Sequence, residues 1–330
     1  MAARPPTAAK PRRNLRTSLD YTMRNRLPQP AYQTAVRSYY EARKLIGKGF
    51  GHGRLLPDFV IIGAAKAGTT SLYAWLGQHP FVARASQKEV HYFDYNHYRG
   101  EDWYRRHFPL ASERDLFTAR HGRPFITGEA SPSYVSHEWA PQRLAGLLPD
   151  AKIIVALREP VDRAYSHFQM SRREEEEPFD SFEAAVAAEE QRLAPELARS
   201  KADPRYRSWP IGCWSYLMRS SYAEQLERWF ALLPREQFHI LTLEDLSAQP
   251  QETLDQVHEF LELPPHVYEG LKPLHTATYD PIDRATRAQL ADYFRPMNER
   301  LYELLGRDLG WERPAGANSA RQDRAEAQPR

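Results

Sequence analysis

Four apolar residues, Phe59 to Ile62, run directly into a loop holding Gly63, Lys66 and Gly68. Thr69, Thr70 and Ser71 then open an amphipathic segment, Leu72 to Leu76. The order reads as a buried strand, a glycine-containing loop and a helix N-terminus. Such a turn binds phosphate or sulfate for simple reasons. Glycine lets the backbone wrap an anion, the first helical N–H groups lack partners, and the helix dipole adds positive potential. Lys66 adds a full charge. The spacing departs from the nucleotide-binding Gly-x-x-x-x-Gly-Lys-Ser/Thr pattern, because Lys66 precedes Gly68 and Thr69 follows it. The displaced lysine points to a phosphate donor other than ATP.

Further apolar runs repeat the strand signal. Phe125–Thr127 is short, Lys152–Leu157 is nearly all apolar, and Phe238–Leu243 is a fourth. Helical periodicity covers 69–77, 139–147, 160–173, 179–199, 216–232, 250–261 and 283–305. Strands that alternate with helices predict an α/β fold, a single P-loop-like domain whose central parallel sheet is flanked by helices on both faces. Ligands of such sheets bind beyond the strand carboxyl ends. That places Gly63–Thr70, Glu129–Ser133 and Arg158–Asp162 on one edge. Glu174–Glu177 reads as a solvated helix end or loop, and 200–212 as a mobile, proline-containing connection.

The 330 residues suffice for one large domain, predicted over 31–312, with a helix over 31–46 leading into the first strand. Residues 1–30, basic and proline-containing, and 313–330 read as disordered tails. A formal net charge of +2 makes the chain no general magnet for nucleic acid, so any anion site must be local. Cys213 is the only cysteine, so no intrachain disulfide forms. No run approaches a membrane span, and the N-terminus lacks an apolar signal core; a cytoplasmic protein is the expectation. Oligomeric state is not legible.

Two further clusters carry chemistry. Arg158, directly after the Lys152–Leu157 run, is placed to grip an anion with its fork of donors, with Ser166 adding a hydroxyl; the plain alternative is a salt bridge to Glu159 or Asp162. Ser86–Asp94 packs Lys88, Glu89, His91 and Asp94 together. In an extended stretch Glu89, His91 and Phe93 share one face, with Lys88, Tyr92 and Asp94 on the other. Either Glu89 or His91 fits a general base, and no metal-ligand spacing occurs. In Arg219-Ser220-Ser221-Tyr222, a serine caps the following helix, or Arg219 and Tyr222 contact a nucleotide.

Taken together and in order, these motifs resemble the sulfotransferases that use 3′-phosphoadenosine 5′-phosphosulfate (PAPS). The nearest likeness is to the branch of heparan sulfate 3-O-sulfotransferases and N-sulfotransferase domains, and this chain is expected to be a bacterial member. The likeness runs from about Phe59 to Trp311. Gly63–Thr70 resembles the 5′-phosphosulfate loop, Lys88–Asp94 the family's Lys/Asn-Glu-x-His-Phe-Phe-Asp segment, and Leu157–Ser166 the 3′-phosphate strand and helix. The resemblance implies that Lys66 stabilises the leaving phosphate and that Ala67, Gly68, Thr69, Thr70 and Ser71 form the cradle around the 5′-phosphate. Arg158 and Ser166, with Tyr222 and Lys272 nearby, would hold the rest of the nucleotide. Glu89 would deprotonate the acceptor hydroxyl, with His91, Asp94 and Ser131 lining the acceptor side. Sulfuryl transfer of this kind needs in-line attack and charge stabilisation at the leaving group, which lysine and backbone donors supply, so no metal is expected.

The chain departs from the animal relatives in three places. It cannot form their disulfide. Their glycine-rich loop over the 3′-phosphate is replaced by Lys272–Tyr279, where Lys272 or His275 stands in. A lysine that touches the sugar chain is replaced by Ala130, in Glu129-Ala130-Ser131-Pro132. These differences, with the near-neutral charge, direct the expectation toward a smaller glycan, a glycolipid or a natural product. The alternatives are a P-loop kinase or NTPase, disfavoured by the displaced lysine, and a non-catalytic nucleotide-binding protein.

Overall fold

The computed structural model describes residues 51, 53–272 and 279–311; the predicted tails, the 31–46 helix and His275 lie outside them. Five parallel strands form one sheet: β1 (Phe59–Gly63), β2 (Val82–Arg84), β3 (Ile126–Ala130), β4 (Lys152–Leu157) and β5 (Phe238–Thr242), in the order β2-β3-β1-β4-β5. Helices surround it: α1 (Thr69–Leu76), α2 (Glu101–Arg105), α3 (Ala111–His121), α4 (Ala140–Leu147), α5 (Pro160–Arg173), α6 (Phe182–Ala187), α7 (Glu189–Ala202), α8 (Trp209–Trp214), α9 (Tyr222–Phe230), α10 (Leu243–Ala248), α11 (Pro250–Phe260) and α12 (Arg284–Leu305). β1 is buried along its whole length and β4 from Ile153 on, which is why both read as continuous apolar runs. Among the described residues no helix is long and apolar enough to cross a membrane.

The strand order decides where a ligand fits. From β1 the chain builds β2 and β3 on one side, then crosses to β4 and β5 on the other. The carboxyl end of β1 is therefore the switch point, where the crossovers diverge and leave a crevice. The Lys66 loop occupies it. Gly63 closes β1 where a Cβ would meet Val135 Cγ1 at 2.3 Å, so only glycine fits the approach of the 134–136 turn.

Several predicted boundaries move. β2 was not anticipated, because its three residues are too few for a periodic signal. β3 extends beyond the predicted 125–127 through Gly128, Glu129 and Ala130, all buried despite the charge. The predicted 179–199 helix divides into α6 and α7. The predicted 216–232 helix begins only at Tyr222, after a tight turn over Met218–Ser220. Neither serine caps it: Ser221 donates to Leu217 O (3.1 Å), and Ser220 accepts from Arg163 Nε (2.6 Å). The expected mobile connection at 200–212 contains most of α8, anchored by Ser208, whose hydroxyl accepts from Ile211 N (3.2 Å). The acidic run is solvated only at its start: Glu177 is buried and pairs with Arg192 at 3.0 Å.

The loop after α1, helix α11 and the loop that follows it bring His79, His258 and His266 into ring contact, each pair involving His79 at 5.0 Å. Burial, reinforced by the charge that His79 would carry, holds His258 at about 4. The sign follows directly. A histidine depressed below its unfolded value of ~6.5 favours the native state while neutral, so stability is lost as pH falls from ~6.5 toward 4. We expect a loss on the order of 2 kcal/mol over that window, read as a falling thermal midpoint. His258→Gln should shallow the slope; an unchanged slope would remove His258 from the account.

Candidate active site

Three segments converge on the carboxyl edge. The first is the loop between β1 and α1. Ala64 N donates to Ala156 O (2.6 Å), tying the loop to β4, and Leu72 N bonds Gly68 O (3.1 Å), opening α1. Gly68 sits at the helix entry with φ 77°, and no side chain caps that entry. A Cβ there would lie 2.7 Å from Leu243 Cδ1, so glycine meets both a conformational and a steric requirement. Ala67 is fully buried and Thr69 nearly so. A helix entry without a side-chain cap is the arrangement that suits an anion.

Lys66 also has positive φ, 74°. Its side chain is half-buried. Burial, then the charges of Arg173, Arg158 and Arg163, lowers its pKa, with Glu174 opposing. A lysine held among arginines marks a locus of positive potential, and a bound anion relieves the repulsion.

The second segment is β4 and α5. Arg158 Nη1 donates to Lys66 O (3.3 Å) and Arg163 Nη1 to Ala65 O (3.4 Å), so two guanidinium groups clamp the loop's carbonyls. Arg163 is fully buried, and its remaining donors reach Ser220 Oγ (2.6 Å) and Tyr216 O (2.7 Å). It was missed in the sequence because nothing local distinguishes it from a surface arginine; its partners lie more than fifty residues away. The plain alternative for Arg158 does not hold. Glu159 caps α5, accepting from Val161 N (3.0 Å) and Asp162 N (2.8 Å), and Asp162 pairs with Arg287. Among the described residues Arg158 has no ion-pair partner, which leaves its second fork arm for a ligand. Ser166 is buried one turn beyond Arg163 on α5. Tyr222, expected at the nucleotide, is buried with its hydroxyl on Arg158 O (2.8 Å), which ties it to the strand end that carries Arg158. Lys272 is exposed beside the undescribed residues 273–278.

The third segment is Lys88–Asp94. It is not extended as expected: Glu89 (φ 59°) and His91 (φ 54°) are left-handed, and Tyr92–Asn96 forms a wide helical turn. The predicted faces are therefore scrambled. Glu89 and His91 do come together, with His91 Nε2 3.6 Å from Glu89 Oε2. Asp94, predicted on the opposite face, reaches His91 Nδ1 at 2.8 Å. Lys88 Nζ pairs with Glu89 Oε1. The result is a chain, Asp94–His91–Glu89–Lys88, running from the buried Asp94 to the partly exposed Glu89.

Its electrostatics assign states. Burial opposes charge on His91, but Asp94 and Glu89 outweigh it and raise its pKa to about 10. The pairing with Asp94 and Glu89 thus favours the cationic form of His91 at neutral pH, which suits Glu89 better as the base. For Glu89 burial again opposes charge, and the His91 hydrogen bond with the Lys88 charge holds it at about 2. Asp94 lies well below the carboxylate range for the same kind of reason: burial is overridden by His91 and by Ser133, whose Oγ donates to Asp94 Oδ2 (2.5 Å). Ser133 was not foreseen. Ser131, expected to line the acceptor side, is fully buried and donates to Glu129 Oε2 (2.7 Å). The aromatics divide as well. Tyr92 and Tyr104 stack in the core at 4.3 Å, whereas Tyr95 lies beside His91 with Arg207 over its ring at 4.8 Å.

Among the described residues, five non-glycine residues have positive φ, and Lys66, Glu89 and His91 are three of them. Left-handed backbone costs on the order of 1 kcal/mol per residue and persists where the surroundings enforce it. The strain is concentrated on the crevice.

The sulfotransferase-domain family model matches residues 56–282. The chain belongs to the sulfotransferase family. Its match to the membrane-associated sulfotransferase kil1 of Dictyostelium discoideum is 30% identical, over 78% of this chain and 67% of that protein. Heparan sulfate glucosamine 3-O-sulfotransferase 5 of Mus musculus is 28% identical over 78% of this chain and 74% of that one. The bifunctional heparan sulfate N-deacetylase/N-sulfotransferase 3 of Homo sapiens is 32% identical, but this chain spans only 30% of its length. The crystal structure of a sulfotransferase from Alicyclobacillus acidocaldarius superposes with a TM-score of 0.60, at 28% identity, covering 78% of this chain and all of that one.

Proposed function

We propose that this sulfotransferase moves the sulfuryl group of PAPS to a hydroxyl by in-line transfer, with Glu89 as the base. The observation that carries the reading is the meeting at one sheet edge of an anion cradle and a carboxylate poised by a histidine. Lys66 and the amides from Gly68 to Ser71 suit the 5′-phosphate and the bridging oxygen. Arg158 and Ser166 suit the 3′-phosphate. When bound, the donor supplies an activated sulfur bonded to a good leaving group.

On the acceptor side, Glu89 takes the hydroxyl proton as the oxygen attacks sulfur. The sulfur–oxygen bond to the 5′-phosphate breaks, and Lys66 holds the negative charge left on that phosphate. Glu89 is ionised at rest but weakly basic, because Lys88 and His91 share its charge. Displacement of Lys88 by the incoming hydroxyl restores basicity where the proton must go. His91, held cationic by Asp94, fixes the carboxylate's direction.

We further propose a small glycan, glycolipid or natural-product acceptor. Ala130 is buried on the β3 edge, so that position offers no cation to a polyanion. The test is binding and transfer. Adenosine 3′,5′-bisphosphate should bind at least about tenfold tighter than AMP, since Arg158 and Ser166 recognise the extra phosphate. Equal affinities would sink the donor assignment. Incubating extracts with sulfate-labelled PAPS should reveal the acceptor as a new labelled species.

A further inference from the structure

We infer that Glu129 is the positioning residue of the Glu89–His91 segment, acting through Ser131 and Tyr134 without touching substrate. The inference rests on the reading of Glu89 as the base. Glu129 is a fully buried carboxylate in the middle of the sheet edge, and no arginine or lysine pairs with it among the described residues. Three hydroxyl groups satisfy it instead. Tyr104 and Tyr134 donate to Oε1 (2.9 Å each) and Ser131 donates to Oε2 (2.7 Å). All three donors are fully buried as well.

Two of those hydroxyls also accept. His91 N donates to Ser131 Oγ (3.1 Å), and Tyr92 N donates to Tyr134 OH (2.7 Å). An amide can only donate, so each hydroxyl must turn its own proton toward Glu129. The carboxylate therefore sets the polarity of both relays, and the relays hold consecutive amides at the strained turn. Glu89 N on Ala130 O (3.0 Å) pins the turn's other end to the same strand. Without this web, nothing in the sequence favours left-handed backbone at Glu89 and His91. Tyr104 differs: its hydroxyl bonds the same carboxylate oxygen, yet no amide of the 89–94 segment leans on it. Burial pushes the Glu129 carboxyl up, and the three hydroxyl donors pull against that.

The Tyr134/Tyr104 contrast makes a test that needs no acceptor. His91 faces Glu89, Asp94, Ser133 and the Tyr95 ring, so its titration reports whether the turn holds them together. Histidine-selective NMR titration of the full chain, with His91 assigned through His91→Gln, should find wild-type His91 charged up to about 10. Ser131→Ala and Tyr134→Phe should lower its midpoint by more than about one pH unit. Tyr104→Phe should leave it in place although it too removes a buried hydroxyl from Glu129. Glu129→Gln should also lower it, since an amide cannot accept at both ends and the carboxylate charge that His91 senses directly is lost as well. Adenosine 3′,5′-bisphosphate titrated into each variant by calorimetry checks that the donor side is intact. Equal responses in Tyr134→Phe and Tyr104→Phe, or no response in Ser131→Ala and Tyr134→Phe, would overturn the inference. Failure of the wild type to bind the bisphosphate would instead sink the donor reading while leaving the His91 titration untouched.

Discussion

Lys66→Ala should cut sulfuryl transfer by about a thousandfold while weakening adenosine 3′,5′-bisphosphate binding by only about tenfold. The separation follows from what each part of Lys66 does. Its backbone carbonyl accepts from Arg158 Nη1 at 3.3 Å, and truncating the side chain leaves that contact in place. The cradle amides likewise belong to the backbone. What the substitution removes is an ammonium among Arg158, Arg163 and Arg173, where burial is the first cause of its lowered pKa. Charge builds on the leaving phosphate during transfer, so the loss falls mainly on turnover; a preorganised donor of this kind is worth about 10²–10³ in rate. Lys66→Arg should not restore it, because a planar fork on a longer stem cannot replace a compact charge in a loop fixed at φ 74°. Kinetics with labelled donor and calorimetry with the bisphosphate measure the two effects separately. Transfer retained within tenfold would take Lys66 out of the reaction.

How much of this was readable before the structure differs by kind of contact. β1, β4, α1 and α5 announce themselves, because strands buried on both faces are apolar throughout and the helices that follow start at the loop glycine and at Pro160. The cradle is local in sequence, so Lys66, Gly68 and Thr69 were found together. The acceptor side is different. Glu89, His91 and Asp94 were nominated as a group, but their geometry was wrong in advance, since the left-handed turn is tied down by tertiary hydrogen bonds that its amides donate to Ala130 O, Ser131 Oγ and Tyr134 OH. The same non-locality hid Arg163, and it hid the buried bonds of Ser131 to Glu129 and of Tyr222 to Arg158 O. One signal was available. A glutamate in a strand that must be buried, Ile126-Thr127-Gly128-Glu129-Ala130, demands partners, and the tyrosines and serine near it in sequence were candidates.

Glu89→Gln should reduce turnover by about 10²–10⁴-fold with bisphosphate affinity unchanged, the loss usual for removing a general base. Gln keeps the shape and can still meet Lys88's neighbourhood, so a fall in rate reports lost proton acceptance rather than a collapsed loop. The pH dependence sharpens the assignment. Activity requires an ionised Glu89, and the hydrogen bond from His91 with the Lys88 charge holds it at about 2 against the opposing effect of burial. The acid limb of the rate profile should therefore lie well below the ordinary carboxylate value of ~4.3. His91→Gln removes one of the two stabilising partners. The Glu89 pKa must then rise, and the acid limb must move to higher pH along with it. If the base were His91 itself, the wild type would lose activity as pH falls through the histidine range, and Glu89→Gln would leave a large residual rate. The pairing of His91 with Asp94 and Glu89, which raises its pKa, argues against that behaviour. Labelled transfer measured from pH 2 to 9 on the wild type, Glu89→Gln and His91→Gln distinguishes these outcomes. An acid limb that stays put in His91→Gln would break the link between the two residues.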